Sequence, residues 1–348
     1  MGRRDVDSRD STLLSVEQLT KRFTLGGGFS RVRLVAVGKA SFQMGVGGPE
    51  IFTLAGESGS GKTTLARMVL GFIEPTSGRI VYKGRDVTRI RGRANRLAFM
   101  KDVQGIFQDP FDTFNPLKRI ETYLRETALN YSIAASGSEA ERVVGEALDV
   151  VGLSLQEIKG RYPHELSGGQ AQRTSVARAL ITHPSLLIAD EPVSMVDASL
   201  RMSIVNLFRK LKEERGISVL YITHDLATAY YVSDRIAVML RGAIIEVGTV
   251  DQVLRESLHP YTQLLKDSVP DPDPRSKWTA EISLGALEIK QYAQSGCKFA
   301  GRCPRELAVC RDTEPPEVES DGRMVKCHLY QSPESAAIPD PGIPPRTL

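Results

Sequence analysis

The chain has 348 residues, of which 41% are hydrophobic and 25% are charged, and its formal net charge is +3. This length allows one large α/β domain with a small appended segment, and the composition is typical of a soluble globular protein. The sequence contains no run of about 18 apolar residues, the length needed to span a bilayer. The N-terminus lacks the apolar core of a signal peptide. The small net charge does not indicate nucleic acid as a partner.

The first part of the chain predicts strands. Residues 1–12 are polar and are predicted to be disordered. Two short strands follow, Leu13 to Phe23 and Val32 to Phe42, separated by a loop around Gly26-Gly27-Gly28. The apolar run from Ile51 to Ala55 then predicts a buried strand that leads directly into glycine.

The stretch after that strand fits the phosphate-loop pattern G-x-x-x-x-G-K-[ST], and its residues are Gly56, Glu57, Ser58, Gly59, Ser60, Gly61, Lys62, Thr63 and Thr64. Apolar residues at helical spacing follow as far as Leu70, so a strand, a glycine loop and a helix start would aim backbone N–H groups at a polyphosphate. Lys62 would reach the β- and γ-phosphates of ATP, and the Thr63 hydroxyl would bind Mg²⁺. The alternative is a glycine-rich turn that matches by chance.

The remaining pattern predicts an α/β domain with a helical insertion. A strand from Arg79 to Tyr82 precedes a region at 120–162 in which apolar residues recur at helical spacing. Helices and strands then alternate, which implies a mostly parallel sheet covered on both faces, and they run Gln170 to Ile181, Leu186 to Ala189, Leu200 to Arg215 and Ser218 to Ile222. A proline-rich linker (268–290), a cysteine-bearing module (291–330) and a disordered tail (331–348) complete the prediction.

The apolar strand that begins at Leu186 is followed by two carboxylates, Asp190 and Glu191. In a protein with a phosphate loop, the first acid of such a pair, Asp190, would hold Mg²⁺. The adjacent Glu191 would then polarise an attacking water as a general base. Alone, the pair could equally be solvated acids at the end of a strand, but after a phosphate loop it favours hydrolysis.

The pentapeptide Leu166-Ser167-Gly168-Gly169-Gln170 precedes a predicted helix, where a hydroxyl and glycine N–H groups can bind an anion. It is also the signature sequence of ATP-binding cassette (ABC) proteins. Over residues 13–267 the chain resembles an ABC-transporter ATPase subunit. The resemblance implies an α/β, RecA-like P-loop core, an antiparallel β subdomain and an α-helical signature subdomain at about 118–170, with the small cysteine-rich module appended.

The resemblance also implies roles for residues that pattern alone leaves open. Gln108 occupies the Q-loop position, where it would contact Mg²⁺ and take part in catalysis. His224 occupies the position of the switch histidine, and Phe23 occupies the position of the aromatic residue that packs against adenine. In this family, the signature residues and the D-loop aspartate act on ATP bound to a second subunit. Here those residues are Ser167 to Gln170 and Asp197.

A narrower resemblance rests on His259-Pro260-Tyr261-Thr262, which is followed by a linker and a cysteine-rich tail. These features are similar to the oligopeptide/dipeptide importer group. The group implies a pair of ATPases, a paralogue or a second copy, on two permease subunits at the cytoplasmic face of the inner membrane, served by an external solute-binding protein. One departure is Val193-Ser194-Met195-Val196-Asp197, where the family typically has Thr-Ser-Ala-Leu-Asp.

Three functions are open at this point. The leading one is the ATPase of an importer for peptides, and related importers carry oligosaccharides, nickel or opines. The second is a soluble ABC ATPase in DNA repair or translation, although such proteins generally have two cassettes or a long coiled coil. The third is a redox or iron–sulfur protein in which ATP is regulatory.

Four cysteines lie within the C-terminal module: Cys297, Cys303, Cys310 and Cys327. Their confinement to one segment suggests a single four-ligand site, because disulfides are disfavoured in the cytoplasm. Zinc sites usually contain closely spaced C-x₂₋₄-C pairs, which this chain lacks, whereas Cys303-Pro304 is similar to iron–sulfur ligands. The family resemblance also favours a [4Fe–4S] cluster, with Zn²⁺ and unligated thiols as alternatives. His328 is predicted to be a neighbour of the site and not a ligand.

Overall fold

The computed structural model describes residues 12–25, 32–268 and 295–331. The predicted disordered ends, the glycine-rich loop at 26–28 and the linker at 268–290 therefore lie, except for single edge residues, outside the described residues. None of the helices in the described ranges is long and apolar enough to cross a membrane.

The main sheet has eight strands in the order β11-β12-β10-β9-β3-β8-β7-β6. Five neighbouring strands, from β9 to β6 in that order, are parallel. Strands β3, β7 and β8 are buried along their whole length, as expected for a parallel sheet covered on both faces. The strands are β3 (Ile51–Ala55), β6 (Val103–Ile106), β7 (Leu186–Asp190), β8 (Ser218–Thr223), β9 (Arg235–Leu240), β10 (Ala243–Thr249), β11 (Glu317–Ser320) and β12 (Arg323–Lys326).

A second, antiparallel sheet packs beside the first and has the order β2-β1-β4-β5. Its strands are β1 (Leu14–Leu25), β2 (Val32–Met44), β4 (Ser77–Tyr82) and β5 (Arg85–Asp86). Phe42 of β2 stacks on Phe52 of β3 with ring centroids 5.0 Å apart. Because both rings are buried, they join the two sheets through a shared apolar core.

Ten α-helices occur in the described residues, and four of them (α3, α4, α5 and α6) lie between β6 and β7 along the chain. These four pack around buried Leu124, Val144 and Leu148. The helices are α1 (Lys62–Val69), α2 (Arg93–Asp102), α3 (Ile120–Asn130), α4 (Gly137–Val150), α5 (Leu155–Ile158), α6 (Gly168–Leu180), α7 (Ala198–Arg215), α8 (Leu226–Val232), α9 (Val250–Arg255) and α10 (Pro260–Asp267).

The cysteine-bearing segment continues the main sheet. Strand β12 pairs with β10, with Val325 opposite Glu246, and Phe299 is fully buried against residues of the main α/β domain. The sequence predicts a small cysteine-rich module appended to the α/β domain, and that segment contains few apolar residues. The structure does not confirm a separate module, since the segment shares a sheet and a hydrophobic core with the rest of the chain.

Candidate nucleotide site

The predicted site residues follow neighbouring parallel strands. Strand β3 leads into the phosphate loop, β7 ends at Asp190 and β8 ends one residue before His224. These strands are hydrogen-bonded in the order β3-β8-β7. Because the carboxyl ends of parallel strands meet at one edge of a sheet, residues that are far apart in the chain form a single crevice there.

Two glycines of the phosphate loop lie directly against other backbone segments. A Cβ atom at Gly56 would lie 2.2 Å from the Met239 carbonyl oxygen, and one at Gly61 would lie 2.2 Å from the Ala36 carbonyl oxygen. Both glycines have positive φ, 150° and 104°. The loop is therefore pressed between β2 and β9, where only a residue without a side chain fits.

Lys62 is buried and folds back over the loop. Its Nζ donates to the carbonyl oxygens of Gly56 and Glu57, each at 2.8 Å, and to Ser60 Oγ at 3.3 Å. Burial lowers the pKa of Lys62, and the nearby carboxylates of Glu191 and Asp190 oppose that shift. A buried cation beside a helix N-terminus is an arrangement that can bind the phosphates of a nucleotide.

Thr63 and Asp190 form a pair of oxygen ligands. The Thr63 hydroxyl donates to Asp190 Oδ1 at 3.2 Å. Burial raises the pKa of Asp190; the hydrogen bond from Thr63 opposes the shift, whereas the charge of Glu191 adds to it. A hydroxyl and one carboxylate suit Mg²⁺, which usually takes only one or two carboxylates and completes its shell with phosphate oxygens and water.

The structure also describes three further predicted site residues. His224 Nδ1 is 3.2 Å from Glu191 Oε1. Gln108 lies two residues beyond the end of β6 and is exposed. Phe23 lies on β1 and is half-buried, with Lys21 Nζ 5.2 Å from its ring centroid. The structure therefore brings His224 and Glu191 into contact and leaves Gln108 open to solvent.

The signature residues form the start of α6. Ser167 caps the helix by accepting from the Gln170 backbone N–H at 3.3 Å, and the Gln170 side chain accepts from the Ser167 N–H at 3.2 Å. A Cβ atom at Gly168 would lie 3.2 Å from the Met195 carbonyl oxygen, so this turn packs against the segment that leads to Asp197, the N-cap of α7. Within the described ranges, each of these two side chains accepts from the backbone N–H of the other residue, and neither bonds the phosphate loop.

The four cysteines border one small cavity, together with His259 and His328. Burial raises the pKa of the Cys297 and Cys303 thiols, and raises that of Cys327 to about 12, so these thiols are protonated at neutral pH. Both ring nitrogens of His328 are engaged, one with the Thr313 carbonyl at 2.9 Å and the other with Gln331 at 2.8 Å.

The thiol and imidazole groups at this cavity are of the types that bind metals, but their positions do not suit a metal ion. In the part of the chain that the structure describes, no group of three or more His, Cys, Asp or Glu residues is positioned to hold a metal ion. The predicted [4Fe–4S] cluster and the zinc alternative are therefore not supported by the structure.

Two residues at the phosphate loop were missed by sequence reasoning. The Tyr261 hydroxyl accepts from the Glu57 backbone N–H at 3.1 Å, and Arg302 Nη1 lies 3.6 Å from Glu57 Oε1. The only sequence signal was the His-Pro-Tyr-Thr motif, which indicated a subfamily but not a contact.

The fold and the crevice define a P-loop ATPase. Residues 40–194 match the family described as "ABC transporter", and residues 245–310 match "Oligopeptide/dipeptide transporter, C-terminal region". Together with relatives that match over almost the whole chain, these matches show that the chain belongs to the ABC transporter family of ATP-binding subunits and has the mixed α/β cassette fold with an antiparallel sheet.

Relatives match over almost the whole chain. The oligopeptide transport ATP-binding protein AppF of Bacillus subtilis (strain 168) is 36% identical over 329 residues, which are 93% of this chain and 99% of AppF. The Probable peptide ABC transporter ATP-binding protein y4tS of Sinorhizobium fredii is 39% identical over 330 residues, covering 93% and 92%. The solved ATP-binding cassette MJ0796, a dimer bound to ADP and Pi, has a TM-score of 0.61 and 25% identity, and covers 68% of this chain and 98% of that one.

Proposed function

We propose that this chain is the ATP-hydrolysing subunit that energises uptake of oligopeptides or dipeptides through a membrane ABC importer. The contact between Glu191 and His224, beside the Thr63–Asp190 pair and the phosphate loop, carries the hydrolytic part of this proposal. The peptide part is supported by the C-terminal family match and by the peptide transport for which AppF and y4tS are named.

The proposed roles combine the contacts in the crevice with the family resemblance. The loop from Gly56 to Thr64 cradles the phosphates of ATP, and Lys62 moves from the loop carbonyls to the β- and γ-phosphates. Thr63, Asp190 and Gln108 hold Mg²⁺. Glu191 takes a proton from the attacking water, and His224 orients Glu191.

The other half of each ATP site is proposed to come from a second subunit, either a paralogue or a second copy of this chain. Ser167 is exposed at the start of α6, where a helix N-terminus can meet the γ-phosphate bound to a partner. Gly168, Gly169, Gln170 and Asp197 complete that surface, and Phe23 stacks on adenine.

An exposed apolar surface next to the Q-loop is proposed to receive a cytoplasmic helix of a permease. Phe72 stacks on Phe107 with ring centroids 6.1 Å apart, and Phe72, Phe111 and Leu117 are 47%, 39% and 85% exposed. Exposed aromatic and aliphatic side chains in one region mark binding surfaces. The chain would then sit peripherally on the cytoplasmic face of the inner membrane, on two permeases served by an external solute-binding protein.

Reconstitution tests this function. Vesicles containing two permease subunits, this chain and its paralogue should hydrolyse ATP faster when the solute-binding protein carries a peptide. Leu117→Glu should remove that stimulation without changing the basal rate. Stimulation by an oligosaccharide, nickel or an opine in place of a peptide would reassign the solute. Failure to assemble with any permease would favour a soluble, non-transport ATPase.

The family resemblance supports a second proposal, a [4Fe–4S] cluster at the four cysteines with Zn²⁺ as the alternative. The four thiols line one cavity, but in the described residues they are not positioned to hold a metal ion. Metal binding would therefore require the thiols to move and to lose their protons. Protein purified without oxygen should contain iron and sulfide in near-equal amounts, and Cys303→Ser should lose both. One stoichiometric zinc would support the alternative, and neither metal would leave four free thiols.

A further inference from the structure

Glu57, the second residue of the phosphate loop, is bound by two residues from the C-terminal part of the chain. Its backbone N–H donates to the Tyr261 hydroxyl at 3.1 Å. Its carboxylate lies 3.6 Å from Arg302 Nη1. Tyr261 belongs to α10, whereas Arg302 lies immediately before Cys303 in the cysteine-bearing segment. Two separate stretches therefore converge on one loop residue.

A single buried aromatic ring holds both partners of Glu57. Phe299 is fully buried, and its ring meets the Tyr261 ring edge to face with centroids 5.5 Å apart. The Arg302 guanidinium lies 5.3 Å from the centroid of the same Phe299 ring. Tyr261 is also fully buried, and burial raises its pKa, so the hydroxyl stays neutral. The donor and acceptor positions are therefore fixed by packing, as a positioning role requires.

The contacts reach the group that binds phosphate. The Glu57 carbonyl accepts from Lys62 Nζ at 2.8 Å and from the Ser60 backbone N–H at 3.2 Å. Holding Glu57 by its N–H and its carboxylate therefore fixes the carbonyl against which Lys62 rests. A loop that is already in its binding conformation loses less conformational entropy when a ligand binds.

We propose that Tyr261 and Arg302 are positioning residues of the nucleotide site, which hold the phosphate loop ready for ATP and connect it to the cysteine-bearing segment. The proposal rests on the proposed function in one respect, that residues 56–64 bind ATP. It gives the tyrosine of the His-Pro-Tyr-Thr motif a physical role at Glu57, from which it is separated by 204 positions in the sequence.

The test is the dissociation constant for a non-hydrolysable ATP analogue, measured by calorimetry on the full-length chain with Mg²⁺. Tyr261→Phe and Arg302→Gln should each weaken binding about two- to tenfold, the range expected for the loss of one hydrogen bond or partly exposed ion pair. Arg302→Lys should restore part of the affinity. Matched controls are Tyr330→Phe, which removes a hydroxyl bonded to the Leu258 carbonyl at 2.8 Å, and Arg311→Gln, which removes an exposed ion pair with Glu306. Both controls should bind like the parent.

A double-variant cycle separates positioning from general stability. In a Glu57→Gln background, Arg302→Gln should cause no further loss of affinity, because the ion pair is already gone. If Arg302→Gln does not fold, Glu57→Gln alone decides, and unchanged affinity in that variant overturns the role of Arg302. Lys62→Ala separates the two proposals: parental affinity in Lys62→Ala would refute the ATP site itself. Loss of binding in Lys62→Ala with parental affinity in Tyr261→Phe and Arg302→Gln would refute only the positioning role.

Discussion

His224 Nδ1 lies 3.2 Å from Glu191 Oε1, and this contact links the ends of two neighbouring strands. The backbone of Glu191 has a φ of 47°, a left-handed conformation that non-glycine residues rarely adopt. It is held there by its N–H, which donates to the Ile222 carbonyl at 2.9 Å, and by its carbonyl, which accepts from Ser194 Oγ at 2.9 Å. Strain of this kind persists where the position of a side chain matters to function.

Replacing His224 should therefore affect hydrolysis more than binding. We expect His224→Ala to lower ATP turnover in the assembled transporter by about tenfold or more, which corresponds to about 1.4 kcal/mol or more in the barrier. The affinity for ATP should stay close to that of the parent, because the contact is to Glu191 and not to the phosphate loop. His164→Ala, which changes an exposed histidine in the helical region, is the control and should keep the parental rate.

Asp190→Asn should stabilise the nucleotide-free protein while removing its response to Mg²⁺. Burial raises the folded-state pKa of Asp190, so the ionised carboxylate destabilises the fold above that pKa, and stability returns as the pH falls through it. The neutral amide should raise the melting temperature at pH 7 and reduce its pH dependence on the acid side. Asp149→Asn, at an exposed helical site, should do neither. A lower melting temperature for Asp190→Asn would contradict the electrostatic explanation.

Gly61→Ala should damage both stability and nucleotide binding. The added methyl group would meet the Ala36 carbonyl oxygen at 2.2 Å, at a φ of 104°. Gly47 is a matched control, because it has a φ of 85° but no atom within 4 Å of an added Cβ. Gly47→Ala should cost about 1–3 kcal/mol of unfolding free energy from backbone strain alone. Chemical denaturation should show a larger loss for Gly61→Ala, and equal losses would show that the close approach is unimportant.

Ser167 and Lys62 should act on different ATP molecules in an assembled heterodimer. Ser167→Arg places a large side chain at the start of α6 and should impair ATP bound to the partner subunit, whereas Lys62→Ala should impair the site of this chain. Each half-site can be measured by nucleotide trapping with the other site inactivated. Both variants disabling the same site would contradict a shared arrangement.

Strands and helices with strong local sequence patterns were predicted well. The apolar run from Ile51 to Ala55 was predicted as a strand with the bounds that the structure shows, and the helix predicted from Leu200 to Arg215 begins only two residues earlier, at Ala198. Strands β9 and β10 were not predicted, although both are largely apolar. Strand β6 has only four residues and includes Gln104 and Gly105, so neither its length nor its periodicity distinguishes it from a loop.

The contacts that complete the site depend on tertiary packing and could not be predicted. Motifs identified Lys62, Asp190, Glu191 and His224, because their chemistry is tied to short local patterns. No local pattern shows that β12 pairs with β10, and that pairing helps to anchor the C-terminal segment from which Arg302 reaches the phosphate loop. The expectation of a separate module was not confirmed for the same reason, because tertiary packing is not visible in the local sequence. A segment with few apolar residues can still fold when it packs against the core of its neighbour.

The most direct test of the account is single-turnover hydrolysis of ATP by the assembled transporter containing Glu191→Gln. The amide cannot accept a proton from water, so the rate should fall by roughly the 10²–10⁴-fold that a general base contributes. ATP binding should be retained, and the variant should accumulate as an ATP-bound dimer with its partner subunit. Near-parental hydrolysis by Glu191→Gln would show that the catalytic base lies elsewhere and would contradict the proposed site.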